Sequence, residues 1–116
     1  MTIERIQPNP RLSAAVTFGE LVFVSGQVPG DATDAASQTV QVLEKIDVLL
    51  AEAGSDKDHL LSATIYLKDI DNDFAAMNDV WSAWLSPGQA PSRTTLQAAL
   101  ARPQVLVEIS VIAARR

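Results

Sequence analysis

From Leu61 to Lys68 the chain alternates: Ala63, Ile65 and Leu67 fall on one side of an extended backbone, Ser62, Thr64, Tyr66 and Lys68 on the other. A β-strand with one buried face sorts residues with this period of two. The stretches on either side keep a different period. Thr39, Leu43, Ile46, Leu50 and Ala53 recur every three or four residues before the strand, and Phe74, Met77, Trp81 and Trp84 do so after it. Each set marks the apolar stripe of an amphipathic helix. A half-buried strand between two such helices constrains the whole fold, because both stripes need a sheet to cover.

The remaining residues supply that sheet. Thr2 to Gln7 reads as an edge strand broken by Pro8 and Pro10. Ala14–Phe18 and Leu21–Ser25 flank Gly19-Glu20 as a tight hairpin, closed by Gly26 and Pro29-Gly30. Asp31 to Asp34 are N-cap candidates for the first helix, and Gly54 is its stop. Asp71 or Asp73 caps the second helix, which runs to about Leu85 and ends before Pro87-Gly88. Ser92–Ala98 and Gln104–Ala114 are the last two strands. The order β-β-β-α-β-α-β-β implies an α+β fold in one domain, residues 1–116, with a mixed sheet and both helices on one face. Val105 to Ile112 is apolar on both faces, so the open face of the sheet is expected to meet another subunit rather than water.

Composition narrows the function. The net charge is −5 and the only adjacent basic pair is Arg115-Arg116. No basic stripe offers itself to nucleic acid, and an acidic surface disfavours an anionic membrane. There is no cysteine, hence no disulfide and no thiolate nucleophile or metal ligand. Met1 leads straight into Thr2-Ile3-Glu4-Arg5-Ile6 without the apolar run of a signal peptide, so a cytoplasmic location is expected. His59, the one histidine, sits among Ser55, Asp56, Lys57 and Asp58 and reads as a solvated loop residue; no metal site is expected. Asp69, Asp71 and Asp73 lack the glycine and glutamate of a calcium loop and mark a helix start.

Glu108 stands out, because it is a carboxylate in the most β-prone segment, where it needs a partner. Arg93 lies on the preceding strand between small polar residues. If those strands pair as antiparallel neighbours, the two side chains come close. Two readings are then open. Arg93 simply compensates Glu108 in a structural ion pair, or Arg93 grips a ligand carboxylate with its planar fork while Glu108 positions a water. Trp81 and Trp84 read as core or interface residues rather than a ligand platform.

Six blocks carry a family resemblance: Val24-Ser25-Gly26-Gln27-Val28-Pro29, Ala53-Gly54-Ser55, Ala63 to Asp69, Phe74 to Asn78, Ala90-Pro91-Ser92-Arg93-Thr94-Thr95 and Val107-Glu108-Ile109. In this order and spacing the chain resembles the reactive-intermediate deaminases, the Rid or YjgF family, most closely their YoaB-like branch. The resemblance implies a chorismate-mutase-like fold in a homotrimer with a central β-barrel, and ligand clefts between subunits. It implies hydrolysis of enamines and 2-imino acids to 2-oxo acids and ammonia, with no metal or cofactor. By the same resemblance Arg93 grips the substrate carboxylate, Glu108 orients water, and the backbone N–H of Thr95 helps hold the carboxylate. Ser25 and Gly26 line the cleft and Asn78 lies near it. Leu12 falls where the family has a cleft-closing tyrosine. The same cleft would serve a non-catalytic carboxylate sensor or regulatory binding protein, or a rearrangement of the chorismate-mutase kind.

Overall fold

A computed structural model describes residues 1–116. Strands β1 (Ile3–Pro8), β2 (Ser13–Phe18) and β3 (Leu21–Gln27) precede helix α1 (Ala35–Glu52). A 3₁₀ turn (Lys57–His59) then leads into β4 (Leu60–Leu67), helix α2 (Ile70–Trp84), β5 (Ser92–Gln97) and β6 (Val107–Ala114). The six strands form one sheet in the order β1-β2-β3-β6-β4-β5. β4 and β5 pair in parallel and every other neighbouring pair is antiparallel. The expected mixed sheet and element order are therefore present.

Local chemistry sets the boundaries. Gly19, at φ +60°, turns the β2–β3 hairpin, a conformation that favours glycine. Asp34 caps α1 by accepting the Ser37 N–H at 2.8 Å, and Gly54, at φ +79°, follows its end. The cap of α2 is Asp69, not Asp71 or Asp73; its carboxylate accepts the Asn72 N–H and binds the Asn72 side chain at 2.6 Å. β3 runs two residues past Ser25, through Gly26, with a bulge between Val24 and Gln27. The last strand starts later than its sequence suggests. The residues before it are engaged instead by the buried Gln38, whose Nε2 donates to the Gln104 carbonyl while its Oε1 accepts the Leu106 N–H.

Both helices cover the same sheet face. Val42, Leu43, Ile46, Leu49 and Leu50 of α1 and Met77 and Trp81 of α2 meet Val22, Val24, Ala63, Ile65, Leu67, Val107, Ile109 and Val111 in one buried cluster. Each large aliphatic side chain so buried stabilises the fold by about 1.5–3 kcal/mol. The opposite face has no cover within the chain. Phe18, Leu21, Phe23 and Ile112 remain 36–43% exposed there.

Candidate functional site

The strand order separates Arg93 from Glu108. β4 lies between β5 and β6, with Ala63 beside Arg93 and Tyr66 beside Glu108. β5 is not the antiparallel neighbour of β6, and Arg93 and Glu108 form no ion pair. Alternation also puts them on opposite faces. Arg93 shares the face of buried Ala63, whereas Glu108 lies between buried Val107 and Ile109 in sequence and so points the other way. The structural ion pair within one chain is thereby overturned.

Arg93 is built into the helix-covered face at the edge of the sheet. Its Nη1 donates to Asn78 Oδ1 at 2.7 Å. Its guanidinium carbon lies 5.8 Å from the Phe74 ring centre and 5.9 Å from that of Trp81, within cation–π range. Phe74, Asn78 and Trp81 are spaced i, i+4, i+7, so one stripe of α2 supplies a hydrogen bond and two aromatic contacts. The guanidinium is thus held without a carboxylate, and the rest of its donor fork remains for a ligand. Thr95 lies two residues along the same face of β5, its hydroxyl buried and without a partner. The sequence signal for this arrangement was the helical spacing of Phe74 and Trp81 about Asn78; reading Trp81 only as a packing residue missed its contact with Arg93.

Glu108 occupies a second setting on the open face. A Cβ on Gly26 would collide with its carboxylate, with Cδ only 2.9 Å away. Glycine at position 26 therefore leaves room for the Glu108 carboxylate where it stands, and does not serve a positive φ. Ser25, beside it, donates through its hydroxyl to the Ser13 carbonyl at 2.6 Å, which ties β3 to the start of β2. Leu12 immediately precedes Ser13 and is 54% exposed, its N–H held by Asn9 Oδ1 at 3.0 Å. The seven residues singled out in the sequence thus fall into two groups, Arg93, Asn78 and Thr95 in one and Glu108, Gly26, Ser25 and Leu12 in the other.

Elsewhere, His59 Nδ1 lies 2.7 Å from Asp56 Oδ1 near the surface. The hydrogen bond from His59 holds the Asp56 carboxyl below its ordinary value, aided by the Asp58 N–H. Burial at the start of α2, with the Asp69 carboxylate nearby, raises Asp73. No three His, Cys, Asp or Glu side chains gather as metal ligands, and no helix is long and apolar enough to cross a membrane.

Similarity to known proteins covers the whole fold. The model of the endoribonuclease L-PSP family matches residues 2–115. RutC family protein YoaB of Escherichia coli is 44% identical over 114 residues, covering 98% of this chain and 99% of its own. A crystal structure of a YjgF family member from Neisseria meningitidis is 48% identical with a TM-score of 0.98, covering 100% of this chain and 97% of that one. YyfA of Yersinia pestis, a protein of the Rid family, is 31% identical with a TM-score of 0.88, covering 97% and 99%. On this match in sequence, fold and length, the chain belongs to the endoribonuclease L-PSP family, the group also called YjgF, RutC or Rid.

Proposed function

We propose that this protein hydrolyses 2-imino acids and their enamine tautomers to 2-oxo acids and ammonia, in a cleft assembled between copies of the chain. The observation that carries the reading is the unpaired Arg93 guanidinium, pinned by Asn78 and flanked by Phe74 and Trp81. An arginine held this way is organised to take a planar carboxylate in two parallel hydrogen bonds. Glu108, on the other face and equally unpaired, needs a neighbouring chain to bring it to an Arg93. The uncovered Phe18, Leu21, Phe23 and Ile112 offer the surface for that association, and the homotrimer fits it.

The chemistry asks little of the protein beyond orientation. Arg93 and the Thr95 N–H fix the substrate carboxylate, which sets the C=N carbon in front of the water on Glu108. The water oxygen adds to that carbon while Glu108 takes its proton. Return of that proton to nitrogen makes it a leaving group. As the C–N bond breaks, the new hydroxyl gives its proton to Glu108 and the carbon becomes the C=O of the 2-oxo acid. Ammonia leaves with the proton that resets the carboxylate. No cofactor enters these steps. The charge on the helices argues against the ribonuclease activity in the family's name. Glu44, Asp47, Glu52, Asp71, Asp73 and Asp79 on the helices face a single lysine there, Lys45, which would repel a polyanion.

The test generates 2-imino acids with an amino-acid oxidase and traps them with semicarbazide. The protein should lower the yield of trapped imine, and Arg93→Ala should lose that effect by about a hundredfold or more, the scale of a charge-assisted contact made to the reacting molecule. Leu12 lacks the hydroxyl of a cleft-closing tyrosine, which favours ligand binding without turnover as the second reading. Folded protein that binds a 2-oxo acid through Arg93 yet never competes with the trap would establish that reading instead.

A further inference from the structure

The largest cavity, about 330 Å³, is lined by Gln7, Gln27, Lys45, Val48 and Leu49, none of which has a part in the reaction above. It lies between α1 and the ends of β1 and β3, and its size is at the lower end of small-ligand sites.

Its polar groups are arranged with cause. Gln7 has φ +50° and is the only residue other than glycine in the left-handed region. It drops out of the β1–β2 register, in which Ile6 pairs with Ala15 and Pro8 with Ser13. Such a conformation is disfavoured for glutamine and persists only where surrounding contacts hold it. Here the distortion carries the side chain to α1, where Nε2 donates to both carboxylate oxygens of Glu52 at 3.1 and 3.3 Å. Gln27 Nε2 donates to the Ser25 carbonyl at 3.0 Å. Because both amides give their NH₂ to acceptors, their orientation is set and each Oε1 is left as an acceptor with no donor. Lys45 is the opposite case, an ammonium with no ion pair. Val48, 57% exposed, and Leu49 make the apolar wall.

We propose that this cavity binds a zwitterionic amino acid with an aliphatic side chain. Its carboxylate meets Lys45 Nζ, its ammonium meets Oε1 of Gln7 and Gln27 with the Glu52 carboxylate behind them, and its side chain lies on Val48 and Leu49. A simple carboxylate leaves both amide oxygens to water, and a simple amine leaves Lys45 to water. A dipolar molecule answers all three.

The probe is L-leucine, titrated into the full-length protein and followed by amide chemical shifts. Saturable binding is expected, with a Kd of roughly 1 mM. Lys45→Met and, separately, Gln7→Ala should each weaken it about tenfold, while Arg93→Ala leaves it unchanged. Isocaproate, which lacks the amine, and isoamylamine, which lacks the carboxylate, should each bind at least about tenfold more weakly. No shift change at about 50 mM leucine, far above that Kd, overturns the proposal. So does binding that survives both Lys45→Met and Gln7→Ala but fails in Arg93→Ala, since leucine would then sit at Arg93. Isocaproate binding as tightly as leucine overturns the dipolar class. The Arg93→Ala comparison keeps this result independent of whether imines are hydrolysed.

Discussion

The two faces of the sheet come from the same strands and are finished differently. On the helix-covered face, Val22, Ile65, Leu67, Val107 and Ile109 are completely buried. On the other, Phe18, Leu21, Phe23 and Ile112 stay partly exposed, beside Ser62, Thr64, Tyr66, Glu108 and Ser110. The first face is completed by the chain's own helices. The second combines apolar area with polar groups, the composition of a surface that meets another protein and also lines a wet cleft. Arg93 belongs to the first face and Glu108 to the second. The division of the faces is therefore also a division of the proposed site.

Two changes in strand β6 separate the faces. Ile109→Ala opens a cavity in the covered face and should cost about 2–5 kcal/mol in urea unfolding. Ile112→Ala, three residues on and facing outward, should cost dilute, dissociated protein less than about 1 kcal/mol while weakening association in sedimentation velocity. Equal losses of stability at both sites, with association untouched, would mean the open face is ordinary surface.

Gly26→Ala acts on the open side alone. The new methyl group must displace the Glu108 carboxylate. Imine turnover should fall about tenfold while ligand binding through Arg93 changes little, because only the water-positioning group moves. A variant with full turnover would remove Glu108 from the site.

The smallest expected effect concerns charge at the start of α2. Asp73 has a folded pKa raised above 3.8 by burial and by Asp69. Its charged form is thus disfavoured in the folded protein, and the stability present below pH 3.8 is lost as pH rises through the raised value. Asp73→Asn should raise the thermal midpoint slightly near neutral pH and have no effect in acid. Asp56 has the opposite sign. Its lowered pKa gives stability above 3.8 that disappears as pH falls through the folded value, so Asp56→Asn should lower the midpoint at neutral pH and converge with wild type in acid.

Much of the architecture could be read from residue order. The alternation of Leu61–Lys68 and the two apolar stripes placed β4, α1 and α2, because periodicity reports which face is buried. Strand neighbours were another matter. Nothing in Ser92–Gln97 or Val107–Ala114 says that β4 inserts between them, since pairing partners are chosen by the packing of the whole sheet. That is why the approach of Arg93 to Glu108 rested on an antiparallel pairing of their strands, which the sheet does not make. The cap of α2 was misplaced by two or more residues because Asp69, Asp71 and Asp73 are chemically equivalent and only backbone geometry selects one. Asn78 was picked out by resemblance, but its hold on Arg93 depends on a contact between α2 and β5 that spacing alone does not reveal.

Mixing two inactive variants tests directly whether Arg93 and Glu108 meet only across a boundary between chains. Arg93→Ala and Glu108→Gln proteins, each inactive against imines by itself, are unfolded together, refolded as a mixture and assayed by competition with semicarbazide. In a ring of three with head-to-tail interfaces, about a quarter of the clefts would regain both side chains, and activity should return to about that fraction of wild type. A mixture as inactive as its components, beside active wild type refolded in the same way, would place both residues in one chain's site and rule out a cleft shared in this way.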